Sequence, residues 1–325
     1  MVQTLDPAVK TRGKEPEQKQ VNHPQWAFFK GEFVPIADAK ISIMSQVVNY
    51  GIGAFGGIRA YWNEDKRQLY IFRLNDHIRR FLGSCKLFNA ALRYSAQDLN
   101  RIIIELLRRE GYHEDAYARP LLYNATEDIT PRLYDVDFDF TCFARPQGNY
   151  IRLSVRACTS SWRRLDDTII PSRGKITGGY INSAFAKSEA YWNGYDEAIV
   201  LNQDGHVAEG SAMNLFIVRD GRLRTPAVSD NILEGITRNT IIHLAQNDLD
   251  LEVAERQIDR SELYIADEVF FCGTGAQVAG VVEIDHRSIG NGKVGPITQR
   301  LQEAYFAIVR GKTQKYMDWL TPVYS

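Results

Sequence analysis

A lysine set in a glycine-rich turn is the most reactive arrangement this chain offers. Ser172-Arg173-Gly174-Lys175-Ile176-Thr177-Gly178-Gly179-Tyr180-Ile181-Asn182-Ser183 places Lys175 between an expected strand and a helix in which Ala184, Phe185, Ala190 and Tyr191 recur at helical spacing. A lysine held off water by such packing loses its proton more readily, and the neutral amine condenses with an aldehyde to a Schiff base. Taken on its own, the turn leaves open a solvated lysine on a tight loop. Lys187, within the following helix and near Glu189 and Glu197, reads as a solvated face residue.

The elements that must position this turn belong to an ordinary globular chain. Its 325 residues suggest two domains, and 44% hydrophobic against 24% charged residues supplies a core. Lys and Arg number 39 against 40 Asp and Glu, a net charge of -1, so composition gives no support for nucleic acid or a membrane surface as partner. Any bound anion must be held by a local pocket. The cysteines Cys85, Cys142, Cys158 and Cys272 lie far apart in apolar surroundings without zinc or CxxC spacing, which reads as buried reduced thiols, no metal and a cytoplasmic location. No apolar run has the ~18 residues of a membrane span.

Residues 1–22 are polar and read as a flexible arm. Alternation at 26–34 around Lys30-Gly31, and at 57–62 with 68–72, predicts two hairpins. Asn75 or Asp76 is expected to cap a helix burying Ile78, Phe81, Leu82, Cys85 and Phe88. Ser95 with Asp98 opens another, carrying Leu99, Ile102, Ile103, Leu106 and Leu107. Strands are expected at 117–123 and 136–143, then a linker at 145–149. Beyond it come strands at 151–157, 197–201, 215–218, 251–254, 269–271 and 278–284, with helices at 184–193, 236–247 and 297–309. This is an α+β chain with a small domain at 23–147 and a large one at 148–325. Gly51, Gly53 and Gly56 fit GxGxxG, but the residues that follow read as strand, so the dinucleotide fingerprint is rejected.

Further segments surround the lysine: Asp204-Gly205-His206-Val207-Ala208-Glu209-Gly210, Leu233-Glu234-Gly235-Ile236-Thr237-Arg238, Phe270-Phe271-Cys272-Gly273-Thr274-Gly275 and Gly295-Pro296-Ile297-Thr298. With His77-Ile78-Arg79-Arg80, Tyr117-Ala118-Arg119-Pro120 and Tyr316-Met317-Asp318-Trp319-Leu320, this ordered set resembles the fold-type IV pyridoxal-phosphate enzymes. Within them it resembles the branched-chain amino acid aminotransferases. The resemblance runs from about Trp26 to Leu320.

The resemblance implies pyridoxal 5'-phosphate, with Lys175 as Schiff-base lysine and proton carrier in a ping-pong transfer between a branched-chain L-amino acid and 2-oxoglutarate. Glu209 falls on the carboxylate that meets the pyridine nitrogen, and Tyr180 on the tyrosine at the ring hydroxyl. Arg80, the Ile236-Thr237 helix start and Thr274 fall on the phosphate donors, a helix N-terminus being a natural anion seat. Arg79 and Arg73 read as solvated neighbours of Arg80. For substrate, Tyr117 and Thr274-Gly275 match groups that receive the α-carboxylate, Arg119 one that meets glutamate's distal carboxylate, and Tyr50, Phe55 and Arg59 the pocket wall. Amino acids and 2-oxo acids are thus the partners, together with a second copy of the chain in a homodimer or larger assembly. Gly56 stands where the family usually has glutamate, which is expected to enlarge or neutralise the pocket. Residues 123–134 replace the usual glycine-rich loop. A D-amino acid or (R)-amine transaminase, an aminodeoxychorismate-type lyase and a cofactor-binding protein without turnover are the competing expectations.

Overall fold

Hairpin alternation at the start of the chain produces the edge of a sheet. The computed structural model describes residues 24–148 and 152–324; the expected arm and Asn149 of the expected linker lie outside the described residues. β1 (Trp26–Phe29) and β2 (Glu32–Pro35) pair across Lys30 and Gly31, both at positive φ, as a tight hairpin requires. A short helix α1 (Gln46–Tyr50) stops at Gly51 in the left-handed region, followed by β3 (Gly53–Phe55), β4 (Ile58–Asn63) and β5 (Gln68–Phe72). Two helices, α2 (Leu74–Leu87) and α3 (Ala96–Glu110), then precede β6 (Ala116–Asn124) and β7 (Phe138–Pro146).

Ser95 and Asp98 form the expected capping box at α3, whereas α2 begins differently. Its N-cap is Arg73 in a left-handed conformation, and Asp76 caps nothing because its carboxylate is taken by Arg73 Nε at 2.7 Å and Arg79 at 3.0 Å. Ile78, Phe81 and Cys85 of α2 and Leu99, Ile103, Leu106 and Leu107 of α3 pack with Ile58, Leu69, Ile71 and Phe140. Burial of each large aliphatic or aromatic side chain is worth about 1.5–3 kcal/mol.

The second sheet collects β8 (Ser154–Arg163), β9 (Glu197–Leu201), β10 (Val207–Gly210), β11 (Asn214–Arg219), β12 (Arg222–Thr225), β13 (Val253–Glu255), β14 (Glu268–Gly273), β15 (Gln277–Ile284) and β16 (Arg287–Ser288). Helix α4 (Tyr180–Trp192) links the parallel pair β8 and β9, and such a pair needs a crossover of this kind. α5 (Ile236–Asp248), α6 (Arg260–Tyr264) and α7 (Pro296–Val309) complete the helices of this part. The order is β10-β9-β8-β15-β14-β11-β12-β13, with β16 on β15. In the first sheet it is β17-β5-β4-β6-β7-β1-β2, where β17 (Leu320–Pro322) is the chain's last strand and β3 also pairs with β6. The polypeptide therefore returns across the division at 147/148. Tyr61, Tyr70 and Phe72 share one core with Phe216, Phe270, Leu301 and Tyr305, joining the sheets through an apolar seam. The chain is α+β.

One buried carboxylate anchors α7 at this seam. Glu268 accepts from the N–H groups of Ile297 (2.9 Å) and Thr298 (2.7 Å) and from the Thr298 hydroxyl (2.7 Å), so it caps a helix whose N-cap residue is glycine. Glu268→Ala leaves these donors buried without a partner. The expected loss, from one cap and several charge-assisted bonds, is about 2–4 kcal/mol, read as a lower urea midpoint with activity per folded molecule retained.

Candidate active site

The lysine turn is held from both sides of the seam. It follows β8 of the second sheet, yet the Lys175 N–H donates to Ser84 Oγ on α2 (3.1 Å) and its carbonyl accepts from the Phe55 N–H on β3 (2.9 Å). Gly178 donates to the Gly51 carbonyl at 3.1 Å, and a Cβ on Gly51 would meet Gly178 Cα at 2.8 Å. That contact accounts for the first glycine of the rejected fingerprint, Gly51, which lets α1 approach the turn, whereas a Cβ on Gly53 would meet the Leu122 carbonyl at 2.5 Å.

Lys175 Nζ faces a cavity of about 290 Å³, lined among others by Phe55, Arg80, Tyr117, Arg119, Tyr180 and Glu209. The lysine as a whole is part-buried, but its amine lies 2.5 Å from the Tyr180 hydroxyl and against the faces of Phe55 and Tyr180. Burial, then the positive charges of Arg80 and Arg119, hold its pKa well below the ordinary lysine value. Tyr180 is pushed the other way by burial and by Glu209. The pair therefore favours a neutral amine beside a neutral phenol, the state in which an amine attacks a carbonyl.

Glu209, at 4% exposure, is fixed by three neighbours. Arg164 meets Oε1 at 3.0 Å, while Asn214 Nδ2 (3.1 Å) and the Leu233 N–H (3.2 Å) donate to Oε2. Burial raises its pKa and Arg164 opposes that shift most strongly. Asn214 also donates to the Leu233 carbonyl at 2.9 Å, and a Cβ on Gly235 would meet its Oδ1 at 2.0 Å. Only glycine fits there. The first turn of α5 after Gly235 has no side-chain cap, so its N–H groups at Ile236 and Thr237 are available to an anion beside Arg80. Thr274 and Gly275, in the turn from β14 to β15, complete the rim.

These residues fit pyridoxal phosphate. An uncapped helix start with an arginine suits a phosphate, a buried carboxylate with its own arginine suits a ring N–H, and a low-pKa lysine suits an aldehyde. Lys175, Arg80, Tyr180, Glu209, Ile236, Thr237 and Thr274 line the one cavity, as do Phe55, Tyr117, Arg119 and Gly275.

Two expected wall residues do not line it. Tyr50 closes α1, is 41% exposed and donates its hydroxyl to the Ile129 carbonyl, which holds its ring against the 125–134 loop and off the cavity. Arg59 is 1% exposed and lies behind the wall, donating to the carbonyls of Gln147 (3.0 Å), Gly148 (2.7 Å) and Gly275 (3.3 Å), so it braces the carboxylate turn from beneath. Gly56 also departs from expectation. A Cβ there would meet Pro120 Cγ at 2.6 Å, so the missing side chain makes room for the Pro120 ring and Gly56 is absent from the lining.

Lys187 is not simply solvated, since it pairs at 2.6 Å with Glu197, a carboxylate buried to 1% that needs a cation. Arg79 is solvated as expected, but Arg73 at the start of α2 is only partly exposed and is paired with Asp76 at 2.7 Å. Arg164, Asn214 and Ser84 were not anticipated. Ser84 stands at helical spacing from Arg80, a signal available in the sequence, and Asn214 lies within the segment that carries Glu209; nothing local marks Arg164.

Gly57 lines the cavity where Tyr117 enters, and a Cβ there would fall 2.0 Å from the Tyr117 hydroxyl. Gly57→Ala must push this phenol aside. If Tyr117 positions the substrate, displacement of such a group by ~1 Å costs about 10²-fold, so kcat/KM should fall on that order while the cofactor spectrum is unchanged.

A family model described as Amino-transferase class IV matches residues 53–284. A probable branched-chain-amino-acid aminotransferase of Aquifex aeolicus is 52% identical, the alignment spanning 92% of this chain and 97% of the relative. The chain belongs to the class IV aminotransferases. The crystal structure of a branched-chain aminotransferase from Thermoproteus uzoniensis with norvaline superposes with a TM-score of 0.89 at 44% identity, over 93% of this chain and 100% of that one. That of a branched-chain amino acid aminotransferase from Thermobaculum terrenum in PLP-form gives 0.88 at 38% identity, over 93% and 99%.

Proposed function

We propose that this aminotransferase uses pyridoxal 5'-phosphate to move the amino group of a branched-chain L-amino acid to 2-oxoglutarate in a ping-pong cycle. The observation that carries this reading is one cavity with a low-pKa lysine, a buried arginine-paired carboxylate at one end and an uncapped helix start with Arg80 at the other. When bound, the cofactor supplies an aldehyde to receive the amino group and a ring to absorb the electron pair left at the substrate's α-carbon. Lys175 is the residue that would hold the cofactor, and its Nζ is the group that would accept the α-proton. Tyr180 stays close enough to set that amine's protonation. Glu209, kept in place by Arg164 and Asn214, holds a proton on the ring nitrogen. Arg80 with the Ile236 and Thr237 N–H groups seats the phosphate.

Substrate roles follow the polarity of the rim. Tyr117 and the Thr274-Gly275 turn receive the α-carboxylate. Arg119 lies over the rings of Phe55 and Tyr117 and donates to the Tyr117 hydroxyl at 3.2 Å, yet among the described residues it pairs with no carboxylate. It is the cation for glutamate's distal carboxylate, while Phe55, Met213 and Leu233 offer apolar wall to an aliphatic side chain.

The working unit is a homodimer or larger assembly. Ile43, Met44, Val48, Tyr50, Ile129 and Tyr134 expose apolar surface together where α1 meets the 125–134 loop, and Gln46 ties the two through Thr126 and Thr130. Tyr50 serves as pocket wall only from such an interface. Among the described residues no helix is long and apolar enough to cross a membrane. Four buried thiols suit a reducing compartment, and we place the enzyme in the cytoplasm.

Steady-state assays test the substrate reading. Leucine with 2-oxoglutarate should yield glutamate, with D-alanine and (R)-1-phenylethylamine at least about 10²-fold slower, a gap set by poorly placed reacting atoms. Lack of leucine turnover, or pyruvate release without an acceptor acid, sinks it.

A further inference from the structure

Arg80 contributes to the phosphate seat from α2 while Ile236 and Thr237 contribute from α5, and something must fix the spacing between these two helices. We propose that Arg73 is the positioning residue that does so, an inference that rests on the phosphate seat described above. Arg73, His77, Arg80 and Ser84 fall at helical spacing along one face of α2, beside the apolar face formed by Ile78, Phe81 and Cys85. Along that face Ser84 holds the Lys175 N–H, Arg80 lines the cavity, and Arg73 reaches α5.

The Arg73 guanidinium is spent on the first turn of α5. Its Nη1 donates to Asn239 Oδ1 at 2.8 Å and to Thr240 Oγ1 at 3.1 Å and lies 3.5 Å from the carbonyl of Ile236, the residue whose N–H is assigned above to the phosphate seat. Asp76 accepts from Nε at 2.7 Å and orients the fork. The Trp319 ring lies 5.1 Å from the guanidinium carbon, and the Trp319 carbonyl accepts from the Arg73 N–H at 2.7 Å. Arg73 therefore joins α2, α5 and the C-terminal segment at one point.

Its backbone supports a dedicated role. Arg73 sits at φ 49°, ψ 45°, a left-handed conformation that a non-glycine residue seldom takes unless its surroundings fix it. With a side chain only 12% exposed, it is not a solvated companion of Arg80. Lysine cannot replace it, because one ammonium cannot serve Asp76 and the acceptors on α5 with the geometry of a planar fork.

The test compares pyridoxal 5'-phosphate with pyridoxal, which lacks the phosphate, for binding to the full-length apoprotein. Wild type should prefer the phosphorylated form strongly. Arg73→Lys and Arg73→Ala should lower the ratio of the two affinities about tenfold, the equivalent of one lost charge-assisted contact, with pyridoxal affinity itself unchanged. Arg79→Ala, which removes the solvated neighbour, should leave the ratio at the wild-type value. If Arg73→Ala does not fold, Asn239→Ala removes one acceptor and should lower the ratio about threefold. Combined with Arg73→Lys it should add nothing further. An unchanged ratio in Arg73→Lys and Asn239→Ala, or an equal loss for both ligands, overturns the role of Arg73. A wild type that binds the two ligands equally overturns the phosphate seat itself.

Discussion

Lys175→Ala should abolish transamination, with turnover lower by about 10⁴-fold or more, because covalent attachment and the proton-carrying amine are lost together. Cofactor still binds in this variant through Arg80, Glu209 and the start of α5, so the loss appears in kcat with phosphate-dependent binding retained. Ethylamine added to the assay should restore part of the rate as an external base. The same lysine carries a stability signature. Burial with Arg80 and Arg119 depresses its pKa in the folded apoprotein, so the folded state binds fewer protons than the unfolded state over the pH range between the two values. Stability from this group is therefore lowest at neutral and acidic pH and recovers as pH rises toward the ordinary lysine value. Lys175→Met, which keeps the volume and removes the charge, should melt above wild type in the apo form at neutral pH, with the difference shrinking in alkali. A constant difference across pH contradicts the buried amine.

Glu209→Ala is expected to be the second most damaging change, through two separable effects. Without the carboxylate the ring nitrogen loses its proton partner, and kcat should fall about 10²–10³-fold, as for loss of one electrostatic contact to developing charge. Arg164, a part-exposed side chain that keeps only its bond to the Asn231 carbonyl, also loses its acid, which should cost about 1–3 kcal/mol of stability. Glu209→Gln separates the two. It keeps the contacts from Asn214 and Leu233 and recovers part of the stability, while the catalytic loss persists. Recovery of activity with stability would mean that the carboxylate serves only to hold Arg164.

Much of this site could be read from the chain because its parts lie in turns that announce themselves. Lys175, the Gly235-Ile236-Thr237 helix start and the Gly273-Thr274-Gly275 turn each combine glycine with a residue able to act on an anion or an aldehyde. Orientation was the harder quantity. β4 is buried on both faces, so alternation does not reveal that Arg59 lies behind the wall. Gly56 suggested a wider pocket, but where its Cβ would point depends on Pro120, a residue of another strand. Tyr50 ends a helix of little more than one turn, too short for periodicity to say which way its ring faces. Apolar periodicity found α2 and its buried face, while the polar face that holds the lysine turn, the phosphate arginine and α5 has no apolar signal. Arg73 therefore reads as solvated and Ser84 carries no signal of its own, while Arg164 escapes because its only informative neighbour, Glu209, is distant in sequence.

Attachment of the cofactor at Lys175 is tested most directly by borohydride reduction of the holoenzyme followed by peptide mass mapping. The prediction is one pyridoxyl adduct, on the peptide containing Lys175, with Lys187 unmodified. An adduct on Lys187 or another lysine, or a cofactor-loaded enzyme that borohydride leaves without any lysine adduct, would contradict it.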